Sequence, residues 1–169
     1  MKSGIKIGGV FDVTCYDKNG NFKWKDQAKN LVVNEGLDHI LSILLKGGTQ
    51  SDPWYIGLID GSPTVAAADS LTGTHDGWTE VTAYSEGARQ EFVDGALSSQ
   101  SCDNSSSKAS FSISSDSTTV GGAFLADNSS TGANGTLLCG AAFTGGNKSA
   151  DNGDTLEVQY TFSAADDGS

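Results

Sequence analysis

Residues 30–48 read NLVVNEGLDHILSILLKGG, the one stretch of the chain whose apolar spacing follows a helical period. Leu37, Ile40, Leu41, Leu44 and Leu45 recur at three- and four-residue steps, so they share a face, with Asp38, Ser42 and Lys46 turned elsewhere. The spacing predicts a single helix over residues 35–46 whose leucine stripe is buried on a sheet. Asn34 is the expected N-cap, Glu35 brings a negative charge to the positive helix end, and Lys46 with Gly47 and Gly48 supplies the stop.

Working outward, the flanking sequence alternates with a period of two. In residues 9–16, GVFDVTCY, the side chains of Phe11, Val13 and Cys15 fall on one face, and Phe22 and Trp24 do the same in residues 21–25. The intervening DKNG, residues 17–20, has the Asn-Gly pair of a tight hairpin turn. Its Asp17, Asn19, Asn21 spacing imitates a calcium loop, but the glycine comes two places early and no glutamate closes it. Residues 54–59, WYIGLI, form an apolar run expected as a buried central strand against the helix. Further strands are expected in residues 79–84, 89–93, 109–114, 119–125, 136–143 and 155–162, the last with the clean alternation Leu156, Val158, Tyr160, Phe162. The 22 glycines and the heavy Ser, Thr, Asn and Asp usage place turns between them. The expected fold is mainly β, a β-sandwich or jelly-roll-like domain of about eight short strands with one packed helix. Residues 1–169 are read as a single domain, with an N-terminal arm over residues 1–8 and a frayed tail over residues 164–169.

The net charge of −11 is unevenly placed. Residues 1–46 hold seven Lys and five Asp or Glu, a net of +2; the remainder holds three basic and sixteen acidic residues, a net of −13. An acidic body repels nucleic acid and anionic lipid, so neither is an expected partner. No apolar run has signal-peptide length or approaches the about 20 residues of a membrane span, so no membrane segment is expected. Cys15, Cys102 and Cys139 have no zinc or disulfide spacing; Cys15 and Cys139 lie in apolar runs and are expected as buried thiols, Cys102 in a more exposed loop.

His39 and His75 have no nucleophile or second ligand at a recognisable spacing, and neither a phosphate loop nor a Gly-x-Ser-x-Gly elbow occurs. The aromatics Trp54, Tyr55 and Trp78 are open to two readings, core or sugar-stacking platform. The residues themselves therefore predict no catalytic residue, no metal and no cofactor.

The segments NLVVNEGLDHILSILL, WYIGLID, ARQEF, GGAFLAD, TLLCGAAF and GDTLEVQYTFS, in that order, together with the opening FDVTCYDKNGNFKWKDQAKNLVVNEGL, resemble small virion proteins of tailed bacteriophages. The resemblance spans residues 9–163 and is greatest to capsid decoration, cement or head-fibre proteins. It implies a structural protein and not an enzyme, on the capsid surface of the virion and made in the host cytoplasm. Its partners would be the major capsid protein and copies of itself, and its role would be to bind the outside of the icosahedral head and stabilise it. The alternative it leaves is a tail-fibre or tail-tip module that binds a receptor or glycan. The charge split places the expected partner-binding surface on the first hairpin, at Lys18, Lys23, Trp24 and Lys25, although a solvated strand face explains the same lysines.

Overall fold

The structure, a computed structural model, describes residues 4–71 and 78–166. The expected hairpin forms from β1 (Ile5–Tyr16) and β2 (Phe22–Lys29), with Phe11 opposite Ala28 and a bulge between Cys15 and Tyr16. The Asp17 carboxylate closes the turn by accepting from the amides of Asn19 and Asn21, each at 2.8 Å, and from Asn21 Nδ2 at 3.0 Å, while Gly20 takes a φ of 81°. Those bonds, the Asn21 side chain first, hold the carboxyl below its ordinary value and occupy the oxygens that a calcium ion would use.

In the same sheet β13 (Thr155–Asp166) runs antiparallel along the whole of β1, from Ile5 opposite Asp166 to Tyr16 opposite Thr155. Its other edge takes β7 (Ser101–Asp103) and β8 (Ala109–Ser112). Where the expected arm and tail are described, residues 5–8 and 164–166 are strand residues of this ladder, Ile5 to Ile7 lying opposite Asp166 to Ala164.

The second sheet has the order β3 (Leu31–Val32), β11 (Leu137–Ala142), β10 (Gly122–Ala126), β4 (Tyr55–Asp60), β5 (Thr79–Glu80), with β6 (Gln90–Glu91) also on β4. A ribbon of β9 (Thr118–Val120) and β12 (Lys148–Ala150) stands beside it. The expected strand over residues 119–125 is split at Gly121, where an added Cβ would overlap the Gly61 carbonyl oxygen. Both sheets are antiparallel, and with one helix, α1 (Asn34–Lys46), the chain is a mainly β, sandwich-like domain.

Alternation builds the core. Phe11, Val13 and Cys15 of β1 and Leu156, Val158 and Tyr160 of β13 face Ile56, Leu58, Leu125 and Cys139 of the second sheet, all buried. Phe11 and Tyr160 stack at 4.2 Å between centroids. The opposite face of the second sheet is also covered: Ile59, Phe124, Ala126 and Leu137 pack under Val65, Leu71 and Trp78, whose indole Nε1 donates to the buried Asp69 at 3.0 Å. Sheet burial on both faces explains why WYIGLI reads as an unbroken apolar run.

The helix departs from expectation in three ways. Its N-cap is Val33, with no side-chain cap bond, and Asn34 is already helical; the Glu35 carboxylate instead accepts from the Leu137 amide at 2.9 Å. It lies on β11 and not on β4, whose free face the 61–71 segment and Trp78 already occupy. Most important, the leucine stripe is not core. Leu37 is 39 % exposed, Leu41 52 %, Leu44 70 % and Leu45 78 %, and only Gly36 of the helix is buried. Gly36 is seated on the Leu138 backbone so closely that the helix meets the sheet main chain to main chain, with Ile40 packed on the core beside it. The stop is as expected: Gly47 is left-handed at φ 67°, and the Gly48 amide donates to the Ser42 carbonyl at 3.0 Å.

Candidate functional site

The four hairpin residues lie together on β2 and its turn, but most of their polar groups are already engaged. Lys23 Nζ is 3.1 Å from Asp151 and 2.5 Å from the buried Asp154, and Lys25 is 3.3 Å from Asp12. Trp24 is half-buried against Phe143 and donates its indole N–H to the Ser149 carbonyl at 2.9 Å. Lys18 is exposed. The hydrogen bond to Asp154 is the first cause that raises Lys23 above an ordinary lysine, so its charge belongs to the fold as much as to any partner.

The same edge carries a predicted acid dependence. Burial pushes Asp26 up, but the Gly145 amide, the Lys148 ammonium and the Gln27 amide outweigh it, and the carboxyl stands below the ordinary 3.8. The Ser117 amide and then Lys23 hold Asp151 below that value too. A carboxyl lowered in the fold contributes stability that is complete above the unfolded value and is lost as pH falls through the folded one. Stability is therefore expected to decline below about pH 4. Asp26→Asn should flatten that decline in urea titrations at stepped pH; an unchanged slope would remove Asp26 from the account.

Two features that the sequence reading did not foresee lie around α1. The first is the leucine strip. Leu37, Leu41, Leu44 and Leu45 fall on adjacent positions of the outward helix face, an apolar surface on a molecule that is otherwise strongly acidic. The second is a cavity of about 340 Å³ beneath the opposite flank of the helix, closed by Ile40, Trp54, Phe92, Leu138 and Phe162. It lies between the two sheets, since Leu138 belongs to the second and Phe162 to the first. His39 and Ser51 stand at one side. Ser51 Oγ donates to Asp127 at 3.2 Å and lies 3.3 Å from His39 Nε2, so His39 is the donor in that second bond, and its ring edge meets Trp54 at 5.4 Å. A serine whose proton is given to a carboxylate and whose oxygen accepts from the imidazole is a tether between loop and helix, not an activated nucleophile. Burial, and then the Asp94 and Asp103 carboxylates, push the Cys102 thiol at the cavity wall up. Burial likewise pushes Cys15 to about 12 and Cys139 to about 11, and all three cysteines are free.

Arg89 was also passed over in the sequence, being one residue of a short strand segment. It is fully buried, and all five of its donors are used. Nε and Nη2 hold the Glu80 carboxylate at 2.9 and 3.0 Å, Nη1 reaches the carbonyls of Asn128 and Asn134, and Nη2 that of Gly132 at 2.7 Å. Phe124 lies beneath the guanidinium at 5.0 Å. This is an internal brace for residues 128–134.

Among the described residues no group of three or more His, Cys, Asp or Glu side chains is placed to hold a metal ion, and no helix is long and apolar enough to cross a membrane. His75 lies outside the described residues. Of the aromatics open to two readings, Trp78 is core and Trp54 lines the cavity. No family model, no curated protein and no solved structure matches the chain.

Proposed function

We propose that the protein is a structural component of a bacteriophage virion that binds the outer surface of the icosahedral head and stabilises the shell, with the leucine face of α1 as its attachment surface. The leucine strip carries this reading. Four leucines on one outward helix face, 39 to 78 % exposed, hold apolar area in water that no element of the chain covers among the described residues. The resemblance of residues 9–163 to decoration and cement proteins supplies the partner, the major capsid protein. Attachment to a repeated lattice suits such a surface, since many modest contacts add up when neighbouring copies also touch. The acidic remainder, turned to solvent, keeps crowded copies from collapsing onto one another.

The test is binding of the purified protein to undecorated heads. Burial of a leucine is worth about 1.5–3 kcal/mol, so Leu41→Asp with Leu45→Asp is expected to weaken binding by more than about 100-fold while the isolated protein keeps its melting temperature. Equal binding of variant and parent would sink the assignment of the surface. Quantified on purified particles, the protein should approach the copy number of the major capsid protein; a small fraction of that number would favour the tail module instead.

A further inference from the structure

The cavity under α1 is apolar and aromatic inside and acidic at its mouth. Trp54, Phe92 and Phe162 form the walls, with Leu138 among them, and the exposed Asp52 and Asp94 stand at the opening. Neither carboxylate is in an ion pair among the described residues, and no lysine or arginine lines the space. His39 stands at one side of the space, with its Nε2 3.3 Å from Ser51 Oγ.

Three properties narrow the occupant. The volume, about 340 Å³, is at the lower end of the roughly 300–1,000 Å³ of small-ligand sites and has room for one extended side chain. An anion is repelled at the mouth, and a neutral apolar group would strip water from two carboxylates and give them nothing in return. A cation on an apolar stem satisfies both the walls and the mouth. Between the two natural cations of that shape, guanidinium is the better match: it is planar, sheds water more readily than ammonium, stacks on indole and phenyl faces, and presents several donors to carboxylates.

We infer that this cavity is the receptor for one arginine side chain of a partner protein. The partner is a different chain and not a second copy. Arg89 is the sole arginine of the sequence, and it is buried with every donor engaged. The inference stands apart from the leucine surface, because it uses other residues and a different chemistry.

Butylguanidine, the guanidinium on a four-carbon stem, is the probe, titrated into the full chain and followed by the Trp54 indole and Leu138 amide resonances. One side chain without its protein should bind at about millimolar Kd. Saturable shifts confined to the cavity are expected, with about tenfold weaker binding in Asp52→Asn, Asp94→Asn and a comparable weakening at high salt. Butylurea, planar and neutral on the same stem, should leave these resonances in place. No saturable shift with butylguanidine, or equal binding by the double variant, would overturn the site. Binding of butylamine as tight as that of butylguanidine would overturn the choice of arginine. Both aspartates are exposed, so the variant is expected to melt with the parent; should it not, the butylurea and salt comparisons on the parent decide alone.

Discussion

Arg89→Met is expected to cost about 3–5 kcal/mol of stability and to lower the melting temperature by about 10 °C, the largest effect of any single exchange considered. The reason is what remains behind. Glu80, with its side chain only 7 % exposed, would keep a charge with no counter-ion, and three carbonyls of residues 128–134 would lose their donor. Glu80 also accepts from the Gly132 amide at 2.7 Å, so the disturbance passes straight into that loop. Arg89→Lys should rescue little, because an ammonium has three donors and no planar fork, whereas five donors are in use here. Replacing both partners, Arg89→Met with Glu80→Leu, should recover much of the loss. A double variant as unstable as the single one would show that the carbonyl bonds and not the ion pair carry the effect.

The second large effect is expected at the smallest residue of the helix. A Cβ on Gly36 would overlap the Leu138 carbonyl oxygen, backbone that has little freedom to move because β11 is paired on both edges. Gly36→Ala should therefore lift α1 from the sheet, weaken the bond from the Leu137 amide to Glu35, and cost about 1–3 kcal/mol, although alanine is the better helix former. Leu41→Asp, in contrast, changes a side chain that is 52 % exposed and should shift stability by no more than about 0.5 kcal/mol. The pair forms a crossed test by thermal melting: a leucine exchange that unfolds the protein beside a harmless alanine would mean that the helix sits with its stripe inward.

That reversal also shows where sequence reading reached and where it stopped. Period-two alternation located β1, β2, β8 and β13 because one face of each meets the core, and the Asn-Gly turn fixed the first hairpin. The helix was located correctly by its period, but the period reveals only that one face is apolar, not whether anything covers it. Here the covering argument failed because Gly36, a residue with no side chain to signal anything, makes the docking contact. β7 and β12 were missed because they are three residues each and mostly serine, lysine and aspartate, held by the strands beside them and not by their own propensity. The lysines of the hairpin were visible but their partners were not: Asp151 and Asp154 are 128 and 131 residues away from Lys23. Arg89 and the cavity share that difficulty, since each gathers side chains that only the folded topology brings together.

The ladder between β1 and β13 gives the molecule a direction of mechanical weakness. Ile5 lies opposite Asp166, so a pull applied at these two residues loads an antiparallel ladder at its open end and parts its bonds one rung after another. A pull between Ile5 and Thr155, near opposite ends of the same ladder, loads all the rungs in shear at once. The protein should then yield at low force when drawn by residues 5 and 166 together, and resist when tension crosses the sheet along its strands. For a protein mounted on a surface under outward load, the direction in which strain arrives would matter as much as the number of bonds that oppose it.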